Sequence, residues 1–506
     1  ECVSQTHPEF FKASSVVAAV SVYTRTPQDS MKASWVAFAT VLALAALTCS
    51  AQITVTQTAQ GTTDRLSKKL PLAWNADAAP ASTSIFVDKS NTYQTILGFG
   101  GAFTDAGGYV WSKLNKNLQN QVLEAYFGPT GNHYTVCRTH IASCDFSVES
   151  YTFAPTPGDY QMKNFSLDPD RKHLMPFIKA AHQWTVNPIK MFATPWSPPP
   201  WMKINQQFDS SAQPYGLLDD PVIHRAYAKY ISTYISAYKA EGINFWGMTV
   251  QNEPEFAAPW EACCYRPKDM LAHLRDYLSP VIKADHPHLK VMVYDHNKDH
   301  VAEWVDTFFN QNLPSSIRDL ADGTAFHWYS GPQFENLAKS HEIAPDKFLL
   351  ATEACNCPGV LIDDWSRGEH YGSDIMGDLN NWAVGWVDWN MILDPQGGPN
   401  HLKGFCDAPI IGFSNQTIHF QPPYFYMGHF SRFILPGYVR INSELNSASS
   451  PLLVTAFTDG ATHKETVLVV MNPTDSPLDF SLSYNHKWAY YNTLPHSIVT
   501  FKWHDA

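Results

Sequence analysis

The feature that most constrains the fold is a run of eight short apolar segments separated by longer stretches. The separating stretches carry apolar residues at helical spacing, as in 224–240. Buried apolar strands that alternate with helices are typical of parallel β/α units. The predicted strands are 95–101, 135–141, 189–194, 245–254, 291–295, 324–329, 348–353 and 384–390. Eight such units in succession predict a (β/α)8 barrel of the TIM type in an α/β protein.

The sequence on either side of these units has a strand-rich pattern with turn signals, and no helix is predicted after about His419. A C-terminal region of under 90 residues is too short to complete a β-sandwich alone. We therefore expect 52–94 and 419–506 to supply the strands of one accessory all-β sandwich, with the barrel at 95–418. The strands predicted there are 53–56, 84–88, 452–457, 466–471 and 497–501.

The first 51 residues have the pattern of a targeting segment. Met31 and the basic residue after it precede an apolar run, 35–47, that is shorter than a membrane-spanning helix, and small residues follow up to Ala51. We predict that 31–51 is a cleaved signal peptide and that 1–30 is an extension outside the native protein. A buried helix or a signal anchor is the alternative. The mature chain is expected to be secreted or vesicular.

Composition excludes one class of function and favours another. The net charge is −12 and no block of Lys and Arg is present, which argues against a nucleic-acid-binding protein. The chain has 16 Trp, 23 Tyr and 29 Phe. Aromatic rings bind the apolar faces of sugars, although most of these rings are expected to fill the core. In a secreted protein, Asn164 and Asn415 begin candidate glycosylation sites.

Seven cysteines remain after Ala51, and this odd number leaves at least one thiol free or paired between chains. Their spacing does not match a zinc site, because Cys355-Asn356-Cys357 lacks a second close pair or a His at ligand spacing. We expect buried thiols and one disulfide. No metal, nucleotide or redox cofactor is implied.

Two glutamates end predicted strands four and seven. Pro254 cannot donate to a sheet ladder, so strand four ends at Glu253. Glu353 ends a strand three β/α units later, on the opposite side of the barrel mouth. Two facing carboxylates among aromatic rings fit glycoside hydrolysis, with one as proton donor and the other as nucleophile. We expect Glu353 to be ionised and the pKa of Glu253 to be raised by that second charge.

Other predicted strands end in polar or aromatic residues, as active sites at the C-terminal face of a barrel require. Each also has a structural alternative: a loop cap for Asp145, packing for Trp196 and Trp389, and a core position for His327. Structural roles are favoured for Asp105 and Asp388, and a solvated charge for Glu255. The strand-end residues are Asp145, Trp196, Asn252, His327, Trp328, Tyr329, Trp389 and Asn390.

Eight sequence blocks occur in the same order as in a known enzyme family, between about Ile85 and Trp503. They are 98–105 (GFGGAFTD), 142–146 (ASCDF), 249–254 (TVQNEP), 326–329 (FHWY), 350–355 (LATEAC), 385–390 (GWVDWN), 397–400 (GGPN) and 428–431 (GHFS). These blocks resemble the glucosylceramidases of glycoside hydrolase family 30. The resemblance implies that Glu253 is the acid/base and Glu353 the nucleophile. It further implies glucose-binding residues Asp145, Trp196, Asn252 and Trp389, with Arg138, His327 and Tyr329 around the nucleophile.

The resemblance implies hydrolysis of glucosylceramide through a covalent glucosyl-enzyme, in a lysosomal or secreted protein. A lipid-presenting activator protein and an anionic membrane surface are the implied partners. The alternatives are a family-30 endo-glycanase, such as a β-1,6-glucanase or a xylanase, and a non-catalytic carbohydrate- or lipid-binding protein. Two features depart from the family pattern: Gln251 stands where a Glu is typical, and loop 255–266 contains Trp260 and Cys263-Cys264.

Overall fold

The computed structural model describes residues 52–77, 80–210 and 216–505. The predicted signal peptide 31–51 and the extension 1–30 lie outside the described residues and remain predictions. In the described part of the chain, no helix combines the length and the hydropathy needed to cross a membrane.

The structure has the following elements in chain order. The strands are β1 Gln52–Ala59, β2 Ser67–Ala73, β3 Ser84–Thr95, β4 Gly98–Phe103, β5 Val136–Ile141, β6 Lys190–Pro195, β7 Phe245–Thr249, β8 Lys290–Asn297, β9 Gly323–His327, β10 Phe348–Glu353, β11 Ala383–Asn390, β12 Ile392–Leu393, β13 Ile410–Phe413, β14 Thr417–Phe420, β15 Val439–Leu445, β16 Leu453–Thr458, β17 Glu465–Asn472, β18 Leu478–Tyr484, β19 Lys487–Thr493 and β20 Ser497–His504. The helices are α1 Asp105–Lys113, α2 Lys116–Phe127, α3 Leu174–Trp184, α4 Pro221–Ala240, α5 Pro267–His273, α6 Ser279–Asp285, α7 Val301–Phe309, α8 Ser315–Arg318, α9 Phe334–Ile343, α10 Trp365–Asn380 and α11 Pro422–Ser431. Pro200–Met202 forms a 3-10 turn, and Leu274–Leu278 forms a π-helical turn between α5 and α6.

Strands β4 to β11 form a closed parallel barrel, which confirms the predicted fold class. The barrel closes where β11 pairs with β4, with Gly385 opposite Gly98. Strands β4 and β5 are buried along their whole length, as continuous apolar runs predict. Gly100 allows these two strands to approach, because a Cβ there would lie 1.7 Å from the Val136 carbonyl oxygen. The predicted start of the first strand differs, since Thr95 is the last residue of β3.

The predicted helix 224–240 lies within α4, and its start follows from local chemistry. Asp220 is the N-cap, and its side chain accepts a hydrogen bond from the backbone N–H of Val222. Pro221 occupies the first turn, where its missing N–H has no intrahelical partner to lose. Outside the barrel helices, strands β12, β13 and β14 form a small sheet after β11.

The remaining nine strands form the accessory β-sandwich, in the order β19-β18-β3-β15-β16-β17-β20-β1-β2. Strands from both chain ends pair with each other in it, as predicted: β1 pairs with β20, and β3 pairs with β15. Backbone hydrogen bonds between Asn75 and Trp488 join the far ends of the order, β2 and β19. The sequence did not predict β2, because it is exposed along most of its length and lacks an apolar alternation.

The prediction that no helix follows His419 is wrong, because α11 lies after that residue. Nine of its ten residues are buried, so the helix is apolar around its whole circumference and shows no amphipathic period. It joins the two parts of the molecule. The Tyr424 hydroxyl donates to the carbonyl of Ala125 beside the barrel, and the His429 imidazole contacts Thr58 and Thr500 of the sandwich at 2.9 and 2.8 Å.

Among the described residues, one disulfide joins Cys357 to Cys406. The unpaired cysteines there are all buried: Cys137, Cys144, Cys263, Cys264 and Cys355. The expectation of buried thiols with one disulfide is therefore confirmed for the described part of the chain. The disulfide links the segment after β10 to the segment before β13, and both segments lie at the C-terminal end of the barrel.

Candidate active site

The structure brings Glu253 and Glu353 together at the C-terminal end of the barrel. Glu253 follows β7, in a backbone turn with φ +43°. Its backbone N–H donates a hydrogen bond to the Asp295 carbonyl at 2.9 Å, which holds this turn. Glu353 is the last residue of β10. A carboxylate oxygen of Glu253 lies within 4.8 Å of a carboxylate oxygen of Glu353. Both side chains are largely buried, with 13% and 9% of their surfaces exposed.

Two donors hold Glu353. The Arg138 guanidinium donates to one carboxylate oxygen, and the Tyr329 hydroxyl donates to the other at 2.8 Å. Arg138 is completely buried on β5 and also donates to Asn252 at 2.9 Å and to Asp295 at 2.8 Å. Charge-assisted hydrogen bonds of this kind stabilise an ionised carboxylate. Arg138 and Tyr329 therefore both contact Glu353, the residue around which the family resemblance places them.

His327 lies between two carboxylates and is not a simple core histidine. Its Nδ1 is 3.2 Å from Glu253, and its Nε2 is 3.0 Å from Asp295. Burial lowers the pKa of His327, but the charge of Glu353 and the contacts with Asp295 and Glu253 raise it more, to about 9. The ring is thus an imidazolium at acidic and neutral pH and donates through both nitrogens.

Asp295 on β8 is a site residue that sequence reasoning missed. Burial raises its pKa, but Arg138 and His327 lower it further, and the net direction is downward. The hydroxyls of Thr249 and Thr352 also donate to it, at 2.7 and 2.6 Å. Asp295 is the buried counter-charge of both cations. It ends predicted strand five, so the strand-end rule applied to the other strands would have found it.

The pKa shifts of the two glutamates differ from the expectation. Burial raises the pKa of Glu253, but the hydrogen bond and charge of His327 lower it more, so the net shift is downward. For Glu353, burial raises the pKa, the charges of His327 and Arg138 oppose this, and the net shift is upward. The predicted rise for Glu253 is wrong in this geometry, because the imidazolium contacts Glu253 directly and its effect exceeds that of Glu353.

The two predicted sugar-binding tryptophans stack on each other. The ring centroids of Trp196 and Trp389 are 5.2 Å apart at an interplanar angle of 22°. The Arg138 guanidinium carbon lies 4.7 Å from the centre of the Trp196 ring and 5.4 Å from that of Trp389. Trp260, from the loop that departs from the family pattern, packs against the same cluster. These rings form an aromatic wall beside the carboxylates.

Gln251, the residue that differs from the family pattern, supports this wall. Its side-chain amide donates to the backbone carbonyl of Trp196 at 2.7 Å and to that of Asn252 at 2.9 Å. The residue is completely buried. A protonated Glu could donate only one of these two hydrogen bonds and an ionised Glu neither, whereas the amide donates both at every pH.

Asp145 lies in the loop after β5, where the Asn400 amide donates to it at 3.4 Å. Burial and the charges of Glu353, Glu261 and Glu253 raise its pKa well above the ordinary value.

Asp388, for which a structural role was favoured, is buried and accepts a hydrogen bond from Tyr371. Cys355 was not predicted near the site, and its sulfur lies 3.3 Å from the Tyr329 hydroxyl.

Three side chains have the geometry of a possible metal site: Glu253, His327 and Glu353 have ligand atoms within 4.8 Å of one another. Their electrostatics disfavour a cation. The Arg138 guanidinium already contacts Glu353, and the raised pKa of His327 keeps a proton on the nitrogen that would bind a metal. The arrangement therefore fits proton transfer and nucleophilic attack better than metal binding.

Comparisons with known proteins agree with this architecture. The model of the glycosyl hydrolase family 30 TIM-barrel domain matches residues 96–434, and that of the family 30 β-sandwich domain matches residues 437–501. The chain belongs to glycoside hydrolase family 30. The boundary between these two matches lies after α11, which places that helix with the barrel.

Relatives of this chain carry either the name glucosylceramidase or the name endo-1,6-beta-D-glucanase. Putative glucosylceramidase 3 of Caenorhabditis elegans is 35% identical over 444 residues, covering 83% of this chain and 82% of the relative. Lysosomal acid glucosylceramidase of Mus musculus is 32% identical over 411 residues, covering 77% of each. Endo-1,6-beta-D-glucanase BGN16.3 of Trichoderma harzianum is 27% identical over 386 residues, covering 72% and 75%. The crystal structure of SrfJ from Salmonella typhimurium superposes with a TM-score of 0.84 at 28% identity, covering 90% of this chain and all of SrfJ.

Proposed function

We propose that the chain is a retaining β-glucosidase that hydrolyses glucosylceramide to glucose and ceramide through a covalent glucosyl-enzyme. The observation that carries this proposal is the separation of the carboxylates, whose nearest oxygens lie within 4.8 Å. Retaining glycosidases hold the two groups about 5–5.5 Å apart, whereas inverting enzymes need about 6.5–9.5 Å for an intervening water. The spacing at Glu253 and Glu353 favours direct attack by a carboxylate.

In the first step, Glu253 donates its proton to the glycosidic oxygen while a Glu353 oxygen attacks the anomeric carbon. The C–O bond to the ceramide breaks as the glucosyl ester forms. Tyr329 and Arg138 orient the attacking carboxylate through their hydrogen bonds. The negative charge of Glu353 is lost in the ester, and Arg138 keeps its pairing with Asp295.

In the second step, Glu253 is a carboxylate and acts as a base. It takes a proton from a water that attacks the anomeric carbon, and the ester bond to Glu353 breaks. His327 stabilises Glu253 in this ionised state through the 3.2 Å contact. Glucose leaves with retained configuration, and the proton on Glu253 is ready for the next substrate.

The pKa directions of the two glutamates oppose the protonation states that catalysis needs. Catalysis needs a proton on Glu253 and none on Glu353, yet the pKa of Glu253 is lowered and that of Glu353 is raised. A bell-shaped dependence of kcat/KM on pH follows, with its maximum between the two apparent pKa values.

The proposed substrate is supported by the names of the relatives in Caenorhabditis elegans and Mus musculus. We assign the glucose to Asp145, Trp196, Asn252 and Trp389; the last three contact Arg138. A lysosomal or secreted location, a lipid-presenting activator protein and an anionic membrane surface belong to the same proposal. Glycosylation at Asn164 and Asn415 is compatible with it, because both side chains are exposed.

A second candidate is an endo-β-1,6-glucanase, favoured by the Trichoderma harzianum relative. One experiment separates the two. Purified protein is incubated at acidic pH with glucosylceramide, with and without anionic lipid, and in parallel with soluble β-1,6-glucan. Release of glucose and ceramide, increased by anionic lipid, supports the proposal. Release of oligosaccharides from the glucan without ceramide production supports the glucanase, and turnover of neither substrate revives the non-catalytic alternative.

A further inference from the structure

A second carboxylate–imidazole pair lies at the barrel mouth, apart from His327. Glu261, in the loop after β7, is 2% exposed. One of its carboxylate oxygens accepts a hydrogen bond from the Ser143 hydroxyl at 2.7 Å. The other lies 3.3 Å from Nε2 of His401, in the segment between β12 and β13. This pair therefore connects three separate loops.

The connections converge on the loop that carries Asp145. His401 lies 3.3 Å from the Ser147 carbonyl through Nδ1 and 3.2 Å from the Ser150 hydroxyl through Nε2. The neighbouring Asn400 donates to Asp145 itself. The Asp145 loop is thus held on one side by Glu261 through Ser143, and on the other by His401.

The charges of the pair fit this arrangement. Burial raises the pKa of Glu261, but His401 lowers it more, and the net shift is downward. Burial lowers the pKa of His401, but Glu261 raises it more. Both shifts favour the ionised forms of Glu261 and His401. Its charge reaches Asp145, because Glu261 is one of the groups that raise the pKa of that residue.

We propose that Glu261 is a positioning residue that fixes Asp145 for sugar recognition, with His401 as its counterion. The inference rests on the proposed glucose-binding role of Asp145. If Glu261 only joined the loops structurally, its loss would lower the free energy of unfolding but would leave the affinity of the folded enzyme for the sugar unchanged.

The same loop offers a matched control. Glu255 also pairs with a histidine, since its carboxylate lies 2.9 Å from Nδ1 of His300 and accepts a hydrogen bond from the Trp304 indole at 3.1 Å. These partners belong to α7 and the residue before it, not to the Asp145 loop. The substitution Glu255→Gln therefore changes the same chemistry without touching the Asp145 loop.

The test compares Glu261→Gln with Glu255→Gln in the full-length enzyme. Three constants are measured: kcat and KM on the aryl β-glycoside that the wild-type enzyme hydrolyses fastest, and the inhibition constant of 1-deoxynojirimycin, which has the shape of a glucose ring. We expect Glu261→Gln to raise KM and the inhibition constant about tenfold, the effect of one lost charge-assisted hydrogen bond. We expect kcat to change less than threefold, and Glu255→Gln to change none of the three constants more than twofold.

A double-mutant cycle with Asp145→Asn decides whether Glu261 acts through Asp145. Non-additive effects on the inhibition constant support the proposal. Additive effects, or unchanged constants in a folded Glu261→Gln variant, contradict it. If the Glu261→Gln variant does not fold, the cycle is run with His401→Gln and Asp145→Asn. Non-additive effects on the inhibition constant again support the proposal, and additive effects contradict it. A wrong sugar assignment would show in the wild-type enzyme as a preference for another aryl glycoside, so the two failures are distinguishable.

Discussion

The two sides of the barrel mouth hold their carboxylates with different kinds of partner. On the β10 side, Glu353 contacts Arg138, whose guanidinium stays charged at every working pH. On the β7 side, Glu253 contacts His327, a group that can titrate. The comparison shows a difference in permanence: the guanidinium beside Glu353 keeps its charge at every pH, whereas the imidazolium beside Glu253 loses its proton above a pKa of about 9.

The largest effect on the β7 side is expected from Glu253→Gln. The variant cannot donate a proton, so kcat/KM should fall about 10²- to 10⁴-fold for a substrate with a poor leaving group. A substrate with a 2,4-dinitrophenolate leaving group needs little protonation, and its glycosylation step should be nearly unaffected. Steady-state and pre-steady-state kinetics on both substrates check this. An equal loss on both would contradict the assignment of Glu253 as proton donor.

On the β10 side, Arg138→Gln should lower kcat about 10²- to 10³-fold, because a preorganised charged donor to Glu353 is lost. It should also lower the free energy of unfolding by about 3–5 kcal/mol, since Asp295 would lose the buried partner that offsets its charge. Chemical denaturation and kinetics of the folded fraction measure the two effects. Arg440→Gln is the control: Arg440 is buried in the sandwich over Tyr93, and its loss should affect unfolding without changing kcat.

A smaller effect, on pH dependence, should follow from His327→Gln. The imidazolium lowers the pKa of both Glu253 and Glu353, so its removal should raise both. Both limbs of the kcat/KM profile should therefore move to higher pH. His300→Gln is the control, because His300 pairs with Glu255 away from the site. A shift to lower pH would contradict the account.

The smallest effect is expected from Gln251→Glu. The new carboxyl group can donate to the Trp196 carbonyl only when protonated, so its pKa should be raised in the folded state. Stability relative to wild type should therefore be near normal in acid and fall as the pH rises above the unfolded-state pKa, by about 1–3 kcal/mol at neutral pH. Thermal unfolding at acidic and neutral pH measures the difference. A pH-independent difference would show that the amide contact is unimportant.

Much of the barrel could be predicted from the sequence, because buried parallel strands are short apolar runs. The predicted end of strand four at Glu253 is wrong, since β7 ends at Thr249 and Glu253 lies in the turn that follows. The rule that strand ends carry chemistry located Glu253, Glu353 and His327. The partners of His327 could not be predicted, since they depend on which side chains meet across the barrel. The predicted direction of the Glu253 pKa shift was wrong for the same reason. Helix α11 was missed because a helix buried on all sides has no amphipathic pattern.

The central claim is that Glu353 attacks the sugar and Glu253 exchanges the proton. The most direct test is the stereochemistry of azide rescue in Glu353→Gly and Glu253→Gly, with an activated aryl β-glucoside as substrate. The account predicts α-glucosyl azide from Glu353→Gly, because azide replaces the missing nucleophile on the α face. It predicts β-glucosyl azide from Glu253→Gly, because azide then attacks the glucosyl ester of Glu353. The opposite pairing of products, or full activity of Glu353→Gly without azide, would contradict the claim.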